Sequence, residues 1–232
     1  MKYLYLYVNV SCIIIPLLFS FILKKRFYQE WKYFIPANLL VAFIFLIWDY
    51  YFVKWGVWGF NSEYLSGIYL NEHLPLEECL FFFCIPYACV FTYFVLREYN
   101  PHIFKIKKKI NYYIIMMLPF LFLSVFNLEK MYTFSTFGLL FIFLLLSLIK
   151  KINLRLVTLS YIFILPFFFI SNGILTGSFI SGEIVWYNDL ENLNMRFWTI
   201  PYEDVFYGYL LISCNVLVYE SIRKFSQDLS RR

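Results

Sequence analysis

The fold is decided by a stretch that joins two acids to a long apolar run: residues 75–96 read PLEECLFFFCIPYACVFTYFVL. After Glu78, the remaining residues to Leu96 carry no charge. A helix rises about 1.5 Å per residue, so a run of this length can cross most of a hydrocarbon core of roughly 30 Å. Since the backbone must satisfy its own hydrogen bonds in lipid, the stretch predicts a transmembrane helix.

Similar apolar runs recur along the whole chain. Hydrophobic residues make up 62% of the 232 residues and charged ones only 15%, whereas soluble domains have about 45–50% and about 25%. Seven spans are predicted, at 3–23, 34–53, 75–96, 110–127, 131–149, 156–175 and 200–219. The sequence therefore predicts an all-α integral membrane bundle that forms one domain over 1–232.

The basic residues are distributed unevenly between the predicted loops. Sixteen of the 20 lysines and arginines follow the first, third, fifth or seventh span. Loops rich in Lys and Arg stay in the cytoplasm, so the amino terminus is predicted outside and the carboxyl terminus in the cytoplasm. The predicted location is the cytoplasmic membrane of a bacterium. The net charge of +5 is explained by this pattern and by attraction to the lipid bilayer, so no nucleic-acid partner is predicted.

An internal repeat organises the chain. A shift of 126 residues places Lys24-Lys25 on Lys150-Lys151 and the acids after Pro75 on those after Pro201. The predicted units are 1–97 and 128–222, and a connecting helix at 110–127 joins them. Because the shift spans four helices, the two units run parallel, and both acidic segments are expected at the outer ends of their helices.

The two acidic segments are Pro75-Leu76-Glu77-Glu78 and Pro201-Tyr202-Glu203-Asp204, called here the first and second motif. Proline suits a first helical turn, and acids there face the positive end of the helix dipole. One acid would suffice as a cap, whereas acids at membrane depth are rare and usually functional. The candidate catalytic residues are therefore Glu77, Glu78, Glu203 and Asp204.

Several stretches resemble a known family, the membrane lycopene cyclases. The likeness to its first half rests on Trp48-Asp49, Gly56-Val57-Trp58 and the first motif with Phe81-Phe82. The likeness to its second half rests on Asn172, Leu175-Thr176, Trp186-Tyr187, Arg196 and the second motif with Phe206-Tyr207. Some bacteria have the halves as paired subunits, and archaea and fungi have them fused. This chain is similar to the fused form over roughly 34–212.

The resemblance implies that the motif carboxylates close β-rings on lycopene by acid–base chemistry, without redox. A carbocation intermediate would be stabilised by aromatic rings, which also form interfacial belts in membranes. We expect substrate contacts from residues near the motifs: Asp49, Trp58, Phe81, Phe82, Asn172, Arg196, Tyr202 and Tyr207. Lycopene or a related carotenoid is the expected partner, and neighbouring carotenoid enzymes are further candidates.

No cofactor or metal is predicted. The chain has only 8 glycines and lacks the G-x-G-x-x-G that a dinucleotide site requires. Its five cysteines and two histidines show no metal-ligand spacing. A retinal protein is excluded because residues 200–219 contain no lysine. The remaining alternatives are a carotenoid hydratase, a cyclase of longer carotenoids and a small transporter.

Two expectations concern the site itself. An elongated apolar cavity is expected between the second, third, sixth and seventh helices, with both motifs at its outer end. Four acids in one such pocket should share at least one proton. The proton donor of each motif is predicted at Glu77 or Glu203.

Overall fold

The computed structural model describes residues 1–99 and 110–230, and most of this part is helical. The helices are α1 Leu4–Ile22, α2 Trp31–Lys54, α3 Leu76–Tyr99, α4 Ile110–Val125, α5 Met131–Ile149, α6 Arg155–Leu175 and α7 Tyr202–Leu229. The predicted all-α class is confirmed. The basic residues within 100–109 and the terminal Arg231 and Arg232, on which the predicted orientation partly rests, lie outside the described residues.

Within the described ranges, six helices are long and apolar enough to cross a membrane: α1, α2, α3, α5, α6 and α7. The chain therefore fits an integral membrane protein. Helix α4 is shorter, at 16 residues, so the fourth span predicted at 110–127 stays a prediction. The same holds for the orientation in the membrane and for the parallel repeat.

Helix α7 continues to Leu229, well past the predicted end of its apolar run. The additional turns carry charged side chains that form ion pairs with neighbouring segments. Glu220 pairs with Arg97 of α3, and Nε of Arg223 lies 3.2 Å from a carboxylate oxygen of Glu30, just before α2. Ion pairs thus extend the helix where hydropathy alone would end it.

Helices α3 and α7 form the centre of the bundle, in contact with each other and with α2 and α6. A buried amide links three of these helices. Asn38 Nδ2 of α2 donates to the backbone oxygen of Phe82 in α3 and to Oδ1 of Asn215 in α7, both at 3.0 Å. Such bonds hold helices together in lipid, where the hydrophobic effect does not.

The loops before α3 and α7 meet in a two-stranded antiparallel ribbon of β1 Trp58–Phe60 and β2 Val185–Tyr187. A second small pair joins β3 Arg196–Phe197 to β4 Ile200–Pro201, directly before α7. The ribbon positions Trp58 opposite Tyr187 at the motif end of the bundle. No strands were predicted here, because segments of three residues are too short to show a period.

The ribbon depends on a glycine. A Cβ added at Gly59 would lie 2.6 Å from Cε2 of the Trp186 indole, its partner across the strands. We expect Gly59→Ala to destabilise the protein by about 1–3 kcal/mol, the usual cost of overpacking. Thermal unfolding in detergent measures the change. The double variant Gly59→Ala/Trp186→Ala should recover part of the loss, and a single variant as stable as the parent would contradict the close packing.

Candidate active site

A cavity of about 460 Å³ begins at the motif end of the bundle and runs along α3. Glu78, Phe81, Ile85, Ala88 and Thr92 line it at helical spacing, so they share one face of α3. From Glu78 to Thr92 the helix rises about 21 Å. The cavity is therefore elongated, and its carboxyl groups are concentrated at one end.

The lining differs in part from the expected set of helices. Helices α3, α6 and α7 contribute as predicted, but α2 contributes only Asp49 among the described residues. Helix α1 takes the place expected for α2, with lining residues that include Tyr5, Cys12, Ile15 and Pro16. The reason is that α1 packs against α3 and approaches α6, which the order of spans along the chain does not show.

Each motif contributes its second acid to the cavity: Glu78 from the first and Asp204 from the second. Asp49 joins them from α2, and its charge and that of Asp204 act on the Glu78 carboxyl. Three carboxyl groups from three different helices therefore meet at one end of an otherwise largely apolar cavity.

The Asp204 carboxylate accepts three hydrogen bonds. Tyr132 donates its hydroxyl to Oδ1 at 2.6 Å, and Asn172 Nδ2 and the Tyr187 hydroxyl donate to Oδ2 at 2.7 and 3.0 Å. Burial, and next the Asp204 charge, raise the pKa of the Tyr187 phenol well above its usual range, so it stays a donor. The Asp204 carboxylate thus has three hydrogen-bond donors and, in the described part of the chain, no acceptor around it, an arrangement that stabilises the ionised form and fixes its orientation.

Glu78 and Asp49 have fewer partners. The Tyr5 hydroxyl donates to Glu78 Oε2 at 2.5 Å, and Trp58 Nε1 donates to Asp49 Oδ1 at 2.7 Å. The second oxygen of Asp49 is buried without a hydrogen-bond partner among the described residues. Within this part of the chain, Asp49 therefore has a single hydrogen-bond donor, whereas Asp204 has three.

The first acid of each motif has a different environment. Glu77 Oε1 accepts the backbone N–H of Ser66 at 2.6 Å. Glu203 Oε1 accepts the backbone N–H of Leu193 at 2.8 Å and the Thr133 hydroxyl at 2.5 Å. Both are buried, and neither lines the cavity. Each connects the preceding loop to the start of its helix, so the geometry favours Glu78 and Asp204 over them as reacting groups.

Aromatic rings surround the carboxyl groups. Trp58, Phe81 and Tyr207 line the cavity, as does Asn172. The Trp58 ring centroid lies 5.1 Å from that of Tyr132. The structure thus brings together these predicted contact residues with Asp49.

Three predicted contact residues do not line the cavity. Phe82 packs against Phe45, with ring centroids 6.2 Å apart. Arg196 pairs with Asp189 at 2.5 Å, and Tyr202 is partly exposed. Their proposed contact with substrate stays a prediction without a cavity position to support it.

Of the three tyrosine donors, Tyr187 was part of the family resemblance but not of the expected substrate contacts, and Tyr5 and Tyr132 were not singled out from the sequence. Tyr5 and Tyr132 both stand at the start of a helix, 127 positions apart, close to the shift that superimposes the motifs. Both lie within the predicted repeat units, so aligning the first helix of each unit would have identified these two tyrosines. Over 1–99 and 110–230, no group of three or more His, Cys, Asp or Glu side chains is arranged to hold a metal ion.

Comparison with known proteins gives one result. The family model for lycopene cyclase matches residues 2–96 and 129–222, which together make up most of the chain. No curated protein and no solved structure matches it. The resemblance seen in the motifs is confirmed, and the chain belongs to the lycopene cyclase family.

Proposed function

We propose that this carotenoid cyclase closes β-rings on the ends of lycopene, with Glu78 as the acid, Asp49 as the base and Asp204 as the counter-charge to the cation. One observation carries the proposal: both motifs contribute a carboxyl to the same end of one elongated apolar cavity. Membership of the family supports a carotenoid substrate.

The shape of the cavity suits a polyene. Lycopene is a rigid rod about as long as the bilayer core of roughly 30 Å. The face of α3 from Glu78 to Thr92 spans about 21 Å of that length. One end group would reach the carboxyl groups while the remainder of the chain extends towards lipid.

Ring closure requires a proton donor beside the terminal double bond. Glu78 has one phenol donor and two neighbouring carboxyl charges, and close carboxyl groups share a proton. Its proton adds to the terminal double bond and leaves a tertiary carbocation. The next double bond attacks this cation, which forms the six-membered ring and moves the positive charge to a ring carbon.

The positive charge then needs a stabilising environment. Asp204 supplies an anion oriented by Tyr132, Asn172 and Tyr187. Trp58 and Tyr207 line the same cavity, and a desolvated cation–ring contact stabilises by about 0.5–2 kcal/mol. Charge stabilisation of this kind is present before the reaction begins.

Loss of a ring proton completes the reaction. The Asp49 carboxylate, which lines the cavity, takes the proton next to the cation, and the electrons of that C–H bond become the ring double bond. Asp49 and Glu78 are neighbouring groups, so the proton can return to Glu78 for the next turnover. The product has the same composition as the substrate, and no electrons are consumed.

A pigment assay tests this function directly. When the chain is expressed in a lycopene-producing bacterium, we expect chromatography to show a one-ring carotenoid at early times and a two-ring carotenoid later. The order follows because one set of carboxyl groups faces the cavity, so the ends must enter in turn. Hydrated or unchanged lycopene would contradict the cyclase, and two-ring product without the intermediate would contradict sequential entry.

A further inference from the structure

The cavity is exposed on one side only, as far as the described residues show. Its exposed lining residues are Ser11 and Ile15 of α1 and Phe167 and Ile170 of α6. The exposed fractions of Ile15, Phe167 and Ile170 are 62%, 73% and 56%. The lining residues of α3 and α7 are buried or half-buried. Helices α1 and α6 are both long and apolar enough to cross a membrane, and an opening between two such helices would face lipid.

The opening lies along the seam between α1 and α6. Cys12 of α1 and Ser171 of α6 both line the cavity and lie next to each other across this seam. Beyond that point each helix contains a proline, Pro16 in α1 and Pro166 in α6. Proline removes a backbone hydrogen bond and lets a helix bend. Each helix therefore lacks one backbone hydrogen bond in the part that borders the opening.

We infer that this seam is a lateral portal, through which the linear hydrocarbon end of a carotenoid enters the cavity directly from the bilayer. The inference rests on the proposed function. The opening is continuous with the space that holds Glu78 and Asp204, so an end group that passes Ile15 and Phe167 reaches the carboxyl groups without crossing water. The rest of the polyene stays in the seam and in lipid.

The exposed lining of the portal is mostly apolar. Of its four exposed residues, Ile15, Phe167 and Ile170 carry no hydrogen-bonding side chain, and Ser11 is the exception. An apolar lining of this kind suits the hydrocarbon end of a carotenoid, because burying an unpaired polar group costs about 1–3 kcal/mol.

A bulky side chain at the portal tests entry. In liposomes that contain lycopene, Ile15→Trp is expected to lower kcat/KM about tenfold through KM, with kcat retained, because it obstructs binding without touching the carboxyl groups. The matched control is Ile14→Trp: Ile14 is exposed on the same helix and does not line the cavity. This control should match the parent.

A reversible closure provides the second test. Ser171→Cys places a thiol beside Cys12, and oxidation should join α1 to α6 and lower conversion about tenfold through KM, with recovery on reduction. In Cys12→Ser/Ser171→Cys, oxidation should change nothing. Equal kcat/KM for Ile15→Trp and Ile14→Trp, with no redox effect, would overturn the portal while the function stands. A parent protein that leaves lycopene unchanged would overturn the function and the portal with it.

Discussion

Glu78→Gln is expected to reduce ring formation by about 10²–10⁴-fold, the range that a positioned general acid contributes. The amide keeps the size of the side chain and can still accept the hydrogen bond from Tyr5. It cannot give a proton to the terminal double bond. Conversion of lycopene by the purified variant in liposomes measures the loss, and equal expression in the membrane shows that folding is intact.

The matched control is the same change one residue earlier. In Glu77→Gln the side-chain oxygen can still accept the N–H of Ser66, so most of the activity should remain and thermal stability should fall slightly. Comparing Glu78→Gln with Glu77→Gln shows which of the two glutamates is the proton donor. Loss of activity in Glu77→Gln alone would place the donor where the sequence analysis expected it and contradict the geometry.

Asp204→Asn should produce the second large loss, about 10²–10³-fold in kcat, because it removes the fixed charge that opposes the cation. The amide also places N–H groups where Tyr132, Asn172 and Tyr187 already donate. The variant should still bind lycopene, so kcat should fall more than KM rises.

Glu203→Gln serves as the control for this prediction. Its Oε1 accepts from Leu193 and Thr133 outside the cavity, and an amide oxygen can retain both bonds. We expect a small change in kcat. If Asp204→Asn and Glu203→Gln lose activity equally, the second motif acts through the structure of its loop, and the assignment of the cation's counter-charge is wrong.

The helical class and most of the spans could be read directly from the sequence. Long uncharged runs have one solution in lipid, since only a helix satisfies every backbone group within one segment. Six long apolar helices agree with six of the seven predicted spans. The carboxyl-terminal end of α7 was harder to predict, because Glu220 and Arg223 form ion pairs with residues far away in the chain.

The sequence predicted which types of residue form the site, but not how they are arranged. Two doubled acidic motifs, with Asp49 and Asn172 near them, were visible as unusual groups in apolar surroundings, and four of these residues line one cavity: Asp49, Glu78, Asn172 and Asp204. The donors Tyr5 and Tyr132 were missed because tyrosine is common in this chain, with 21 copies. Nothing local distinguishes a phenol that meets a carboxylate from one that meets lipid.

The sequence by itself determined that the chain forms membrane helices and that two of them begin with paired acids. Only the tertiary structure decided which acid of each pair faces the cavity. Adjacent residues on a helix point about 100° apart, so Glu78 and Asp204 face the cavity while Glu77 and Glu203 bind the loops. The direction of the cavity depends on which helices pack beside α3 and α7. In the structure, α1 and α6 lie at the open side of the cavity. This packing could not be predicted, because contacts between distant segments leave no periodic pattern in the sequence.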